Sequence, residues 1–202
     1  MKKIPTLFER VYDNHKINHK IIGITSNVCP GMEWVLEGKG VATVKWDGAC
    51  CAIINGELYA RYDAKKGKTP PDGAIPCCDP DPITGHWPHW IKCSVEDPQY
   101  KWYWSAYKDT LVYFDTDKLA DKTYEAIGKH FNGNPYNVDY DCLVPHGITF
   151  ISEFNKPNEP RTFDSIKQWL FDNEVEGIVF WLDGEPKCKI KRTDFGFKWP
   201  IK

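Results

Sequence analysis

Val41-Ala42-Thr43-Val44-Lys45-Trp46-Asp47-Gly48 reads as a β-strand that breaks at its glycine. Because side chains alternate across a strand, Thr43, Lys45 and Asp47 share one face, while Ala42, Val44 and Trp46 share the other. One face is apolar; the other sets an amine beside a carboxylate. A lysine on a strand is ordinarily a solvated edge charge, and Lys-x-Asp-Gly is short enough to arise by chance. Its meaning rests on the partners supplied by the rest of the chain.

Two hairpins supply them. Asn55-Gly56 separates β-prone runs at 50–54 and 57–62, a strong hairpin signal because a type I′ turn needs positive φ at both central residues. In the second arm Glu57, Tyr59 and Arg61 alternate with Leu58, Ala60 and Tyr62, which puts Arg61 on a polar face close to the lysine strand. Near the end of the chain, 176–182 is expected as a strand, Asp183-Gly184 as its turn and 187–192 as the return strand. A two-residue turn sets Glu176 opposite Lys191 and Ile178 opposite Lys189. Pro186 is placed to widen the loop and shift that register, but Lys189 and Lys191 keep a common face either way. Cys188 and Ile190 alternate with those lysines, so one face of the arm is buried and the other cationic. Exposed cross-strand ion pairs worth under about 1 kcal/mol are the plain reading. Three like charges on one face nevertheless repel unless an anion covers them, and a triphosphate would serve.

The bulk numbers are those of an ordinary globular chain: 202 residues, 42% hydrophobic, 27% charged, nine tryptophans. A single domain over 1–202 is expected, one that buries roughly 70% of its unfolded surface and needs no disulfides to fold. No apolar run approaches a membrane span and the first residues lack the apolar core of a signal peptide, so a cytoplasmic protein is expected, with no membrane partner. The eight cysteines then read as reduced thiols rather than a disulfide framework. A net charge of −2 argues against non-specific coating of nucleic acid but leaves room for a local basic groove. Lys65, Lys66 and Lys68 form one such gathering, and Lys187, Lys189, Lys191 and Arg192 another.

Other stretches are read more coarsely. Residues 1–34 show no clear period, and His15, Lys16, His19 and Lys20 suit either a surface or a phosphate. About 65–98 is rich in Pro, Cys and Trp and reads as a long loop or insertion. Its Cys77, Cys78, His86, His89 and Cys93 match no common zinc spacing, and Trp87 and Trp90 suit folding the loop back onto the body. Residues 99–114 are aromatic enough to read as strand, followed by a short helix at 116–121, a strand at 123–127 and a turn over 128–136. Strands are expected at 142–144 and 148–151. Phe163, Ile166, Trp169 and Leu170 recur at helical spacing and predict a helix over 163–173.

Lys45-Trp46-Asp47-Gly48, Arg61, Glu125, Glu176-Gly177-Ile178-Val179-Phe180 and Lys189-Ile190-Lys191 occur in the order found in the covalent nucleotidyltransferases, the ATP- or NAD-dependent ligases and GTP-dependent capping enzymes. More narrowly, Tyr124-Glu125-Ala126-Ile127-Gly128, Asn132-Gly133-Asn134-Pro135-Tyr136, Leu143-Val144-Pro145-His146-Gly147, Glu176-Gly177-Ile178-Val179 and Gly196-Phe197-Lys198-Trp199-Pro200 resemble the vertebrate-type 5′-to-3′ RNA ligase family. The resemblance runs from about residue 40 onward and implies an α+β, ATP-grasp-like nucleotidyltransferase (ligase adenylation) domain with antiparallel-rich sheets. Only 192–202 follow the last lysine motif, so no separate C-terminal OB domain is expected.

The resemblance implies an ATP-dependent RNA ligase that acts on 5′-phosphate and 3′-hydroxyl RNA ends, with Mg²⁺ (or Mn²⁺), as a monomer. Lys45 would be the nucleophile, Lys189 and Lys191 the clamp on the α-phosphate and Glu176 the metal carboxylate. Thr43 would approach the adenine, Arg61 and Glu125 the ribose and sugar-phosphate, and Phe150 or His146 would stack on the base. Asp47 would orient the loop and Gly48 would let the backbone turn close to phosphate. Neighbouring cations are expected to depress the Lys45 pKa, since only a neutral amine attacks phosphorus. Lys65, Lys66, Lys68, Arg192 and the insertion's tryptophans are candidates for an RNA path. DNA ligation, capping, and a non-catalytic RNA-end or nucleotide-binding module are the alternative readings.

Overall fold

Positive φ at Asn55 (53°) and Gly56 (75°), and again at Asp183 (54°) and Gly184 (76°), closes the two hairpins that the sequence predicts. The computed structural model describes residues 3–13, 21–65, 67–82, 84–156 and 160–201; the cluster of His15, Lys16, His19 and Lys20, and Lys66, lie outside the described residues. In chain order the elements are β1 Phe8–Tyr12, β2 Ile21–Val28, α1 Glu33–Leu36, β3 Val41–Lys45, β4 Ala49–Ile54, β5 Glu57–Ala64, β6 Ile75–Pro76, β7 Trp87–Lys92, α2 Lys101–Phe114, β8 Lys122–Gly128, β9 Asp141–Pro145, α3 Phe163–Asp172, β10 Gly177–Leu182 and β11 Glu185–Lys191. Pairing between these strands is antiparallel throughout, so the class is α+β with antiparallel sheets. Two compact units emerge, Asp47–His146 with Lys3 in one and Ile4–Trp46 with Gly147–Lys202 in the other. Among the described residues no helix is long and apolar enough to cross a membrane.

The unit of Asp47–His146 holds a six-stranded sheet in the order β6-β7-β5-β4-β8-β9. Cys51, Ile53, Leu58, Ala60, Tyr124, Ala126 and Leu143 form its buried face, packed against Tyr100 and Ala106 with Tyr103, Trp104, Tyr107 and Leu111 around them. The inward residues 100, 103, 104, 107 and 111 follow the 3.6-residue period. Residues 99–114 are therefore helix over most of their length, not the strand that the aromatic content suggests. Aromatics on the outer side, Trp102, Tyr113 and Phe114, obscure the period. The Asp97 side chain accepts the Gln99 N–H with Pro98 beside it, and Asp115 adopts φ 50° at the C-terminal end, so the stop and start signals are local. Thr110 Oγ1 pins α2 to the sheet, accepting the Leu143 N–H at 2.8 Å and donating to the Ala106 carbonyl at 2.6 Å.

Two further expectations change here. Residues 116–121 form no helix, because Asp121 turns its carboxylate to the N–H groups of Asn55 and Gly56 and braces that hairpin turn. The 65–98 stretch is not all loop: β7 inserts between β5 and β6, burying Trp90 and His89, and Cys77 N–H bonds the Pro88 carbonyl. Pro88 lacks an N–H to offer the ladder, which is why this run does not read as strand.

The second unit contains the β1–β2 hairpin, whose register shifts at bulges between Phe8 and Arg10 and between Val11 and Tyr12, and a three-stranded sheet in the order β11-β10-β3. Those bulges explain why residues 1–34 show no period of two. Leu7, Phe8, Ala42, Ile178, Phe180, Cys188 and Ile190 are buried with Ile166 and Leu170 of α3. Each such large apolar side chain contributes about 1.5–3 kcal/mol. The helix α3 matches expectation and starts on a capping box, in which Thr162 Oγ1 accepts the Ser165 N–H at 3.0 Å. The strand expected at 148–151 reduces to one bridge, Thr43↔Phe150. Asn155 takes the next place along that edge, its side chain bonding both the N–H and the carbonyl of Ala42 at 2.8 and 2.7 Å.

Candidate functional site

The three-stranded sheet sets its charged residues in rows. Gly177 of β10 faces Lys191 of β11 on one side and Lys45 of β3 on the other, and Val179 likewise faces Lys189 and Thr43. Opposed residues of antiparallel strands project to the same face, so Lys45, Lys189 and Lys191 share a face while Ile178 and Ile190 enter the core. The register expected from a two-residue turn holds only beside the turn, where Leu182 faces Glu185. A shift between Phe180 and Trp181, next to Pro186, moves the rest by one residue, so Gly177 rather than Glu176 opposes Lys191.

Glu176 still reaches the lysines. One carboxylate oxygen pairs with Lys45 Nζ and the other with Lys191 Nζ, with the glutamate side chain almost wholly buried. A Cβ on Gly177 would lie 2.2 Å from the Ile190 carbonyl oxygen, so this position is held bare by the neighbouring strand. Lys189 has a different environment. Burial, followed by the positive charges of Lys45 and Lys191, lowers its pKa from 10.5 to about 8, against the opposing pull of Glu176. The depressed amine is Lys189; Lys45 has a carboxylate partner in Glu176.

Thr43 is buried, and its hydroxyl accepts the Trp181 indole N–H at 2.8 Å, so the hydroxyl is already engaged. Phe150, bridged to the Thr43 backbone, leaves 63% of its surface exposed and can offer a ring face to a planar ligand. Sequence reasoning missed Trp181 as the partner of Thr43, although the two lie on facing strands of one sheet.

Arg61, Glu125, Asp47 and Gly48 lie in the other unit. Cys50 of β4 pairs directly with Glu125 of β8, and extending the Cys51↔Ala60 pair by one residue sets Cys50 against Arg61 of β5. Arg61, Cys50 and Glu125 therefore line one row on the sheet face opposite α2. Arg61 Nε donates to Asp63 Oδ1 at 2.8 Å. Burial, then the Glu125 carboxylate, pushes the Cys50 pKa up to about 12, against the downward pull of the Arg61 positive charge. Glu125 Oε1 accepts the Gly48 N–H at 3.1 Å and Oε2 lies 3.0 Å from His146 Nε2, whose Nδ1 is 2.9 Å from Thr123 Oγ1. His146 is thus tied edge-on to Glu125. Cys50 was missed because a cysteine in an apolar run reads as core, although the Asn55-Gly56 register already placed it beside Arg61.

Asp47 is gripped by the 128–138 turn: its N–H donates to Tyr136 Oη at 2.6 Å and its Oδ1 accepts from Asn132 Nδ2 at 2.6 Å. Gly48 is required by close approach, since a Cβ there would lie 2.1 Å from the Ala126 carbonyl oxygen. Lys65 and Lys68 are exposed. Arg192 is not available to a strand of nucleic acid: it is buried, with its guanidinium donating to the carbonyls of Leu170, Asn173 and Lys198. Trp90 and His89 are likewise interior, and Cys93 belongs to the core beneath the sheet.

A family model described as RNA ligase 1 matches residues 75–202 of the chain, a stretch that includes Glu125, Glu176, Lys189 and Lys191. A Danio rerio protein named RNA ligase 1 is 30% identical over 144 residues, which cover 58% of this chain and 43% of that protein. Proteins of the same name from Rattus norvegicus and Mus musculus are each 25% identical over 224 residues, covering 80% of this chain and 69% and 68% of theirs. The matched stretch is therefore less than half the length of the Danio rerio relative.

Proposed function

The chain belongs to the RNA ligase 1 family, and from that premise we propose that it is an ATP-dependent RNA ligase built on an ATP-grasp-like nucleotidyltransferase fold. It joins 5′-phosphate and 3′-hydroxyl RNA ends through a lysyl-AMP and an RNA-adenylate. The observation that carries this reading is the cluster of Lys45, Lys189 and Lys191 around Glu176 on one sheet face.

In the first step Lys45 Nζ, having released its proton to solvent, attacks the α-phosphorus of ATP. A nitrogen–phosphorus bond forms as the bond to the pyrophosphate oxygen breaks. Lys189 and Lys191 hold the α-phosphate oxygens, where negative charge must be stabilised during transfer. Glu176 is the carboxylate assigned to Mg²⁺ (or Mn²⁺). Its donor set fits, because Mg²⁺ keeps several waters and needs only one or two protein carboxylates besides substrate phosphates; Glu176 would hold the ion through an oxygen that one of its two lysine partners releases. When bound, the ion neutralises the leaving pyrophosphate. Phe150 is assigned to the base and the Thr43 backbone to the adenine edge. AMP then passes to the RNA 5′-phosphate as the nitrogen–phosphorus bond breaks and frees Lys45, and it leaves when the 3′-hydroxyl, losing its proton to solvent, attacks that phosphate.

ATP labelled on its α-phosphate tests the proposal. Label that stays with the chain on a denaturing gel and vanishes in Lys45→Ala, followed by sealing of 5′-phosphorylated RNA, is expected. Stable folding and nucleotide binding without covalent label would instead make the chain a non-sealing binder.

A further inference from the structure

Among the described residues, Cys50, Glu125 and His146 bring one thiol, one carboxylate and one imidazole together, with ligand atoms all within 4.8 Å of one another. We propose that these three side chains bind a zinc ion and leave its fourth position open to water or a substrate oxygen. The proposal does not rest on the ligase reading, and it gives Glu125 and Arg61 a metal in place of the sugar contacts that the sequence resemblance implies.

The geometry needs little adjustment. Zinc bonds of about 2.0–2.3 Å in a tetrahedron separate neighbouring donor atoms by about 3.3–3.8 Å. Glu125 Oε2 and His146 Nε2, 3.0 Å apart, are already near that spacing, and Cys50 has to close by about an ångström, within reach of a rotamer adjustment. Each ligand also has an outer partner of the kind that orients metal ligands. Thr123 Oγ1 holds His146 Nδ1 and leaves Nε2 directed at Glu125. The Gly48 N–H holds the other Glu125 oxygen, and Arg61 stands across the strand pair from Cys50, where its charge favours a thiolate. The charges balance as well. On binding, the Cys50 thiol releases its proton to solvent, and thiolate plus carboxylate neutralise the dication, while Arg61 is offset by Asp63 at 2.8 Å. Sulfur and imidazole donors select zinc over magnesium, which separates this site chemically from a phosphate-bound ion at Glu176.

The test uses the full chain, reduced and stripped of metal with a chelator, titrated with Co²⁺ as the spectroscopic probe. A thiolate-to-cobalt charge-transfer band is expected that saturates at one ion per chain, disappears on adding Zn²⁺ and persists in excess Mg²⁺. Cys50→Ser should abolish the band, and the double change Cys77→Ser and Cys78→Ser should leave it intact. Thr123→Val keeps all three ligands and should weaken Co²⁺ binding by about 10- to 100-fold, giving a reading independent of how Cys50→Ser folds. Absence of the band from the folded wild-type chain, its survival in Cys50→Ser, or unchanged affinity in Thr123→Val would overturn the assignment. None of these outcomes bears on covalent labelling of Lys45.

Discussion

Replacing Lys189 by methionine should stabilise the protein while abolishing nucleotidyl transfer. Its amine sits at about 8 instead of 10.5 because burial and the charges of Lys45 and Lys191 disfavour the ammonium. That difference corresponds to about 3 kcal/mol of penalty carried by the charged form. Methionine keeps the apolar stem and removes the charge. Allowing for the part of the side chain that solvent still reaches, the variant should gain about 1–3 kcal/mol at pH 7. The pH dependence fixes the cause. Below pH 8 the amine is protonated in both folded and unfolded chains, and the wild type bears the full penalty. Between about 8 and 10.5 the folded chain gives up the proton while the unfolded chain retains it, so wild-type stability rises with pH and the advantage of the variant shrinks. Urea unfolding of both proteins at pH 7 and pH 9.5 measures this, and α-labelled ATP measures transfer, which should fall by about 100-fold or more. A variant no more stable than wild type at pH 7, or a gain that does not change with pH, would refute the reasoning.

Glu176→Gln keeps the size of the side chain but removes the charge shared by Lys45 and Lys191; lysyl-AMP formation should fall by about 100-fold or more, with a loss of about 3 kcal/mol in thermal unfolding. Arg161→Leu should cost about 3–5 kcal/mol by urea titration, because the buried guanidinium donates to the carbonyls of Phe154, Val35, Lys39 and Gly40. Tyr136→Phe removes the acceptor of the Asp47 N–H and should cost about 1–2 kcal/mol in the same measurement.

What could be read from sequence was whatever one strand or one turn decides locally. The Asn-Gly and Asp-Gly turns, the shared face of Lys189 and Lys191 and the amphipathic α3 each follow from a short period or a backbone preference, and each appears. The α2 segment was misread because Trp102, Tyr113 and Phe114 decorate its outer side, and composition then outweighed a period that only tertiary packing selects. The β7 strand was hidden by Pro88, whose missing donor is harmless where it sits. In the candidate site, Lys45, Glu176 and Lys191 were legible as residue types, but the bulge beside Pro186 set their register. The pairing of Cys50 with Glu125 needed strand order across a long sequence separation, which a single sequence does not display.

The division of labour among the three lysines follows from the row Lys191–Gly177–Lys45. A side chain at Gly177 is forbidden by the Ile190 carbonyl, so the two flanking amines face each other across bare backbone, and Glu176 bridges them with one oxygen each. One carboxylate cannot also neutralise Lys189, one row further along the sheet, where burial first and then the positive charges of Lys45 and Lys191 depress the amine to about 8. Three ammonium groups against one carboxylate leave two positive charges on a sheet face whose reverse side is apolar core. Burying such an excess is costly unless an anion completes it. A phosphate group supplies that charge and offers oxygens to Lys189 and Lys191 while presenting phosphorus to Lys45. The residues that make the sheet electrostatically incomplete are therefore the same ones that the proposed transfer requires.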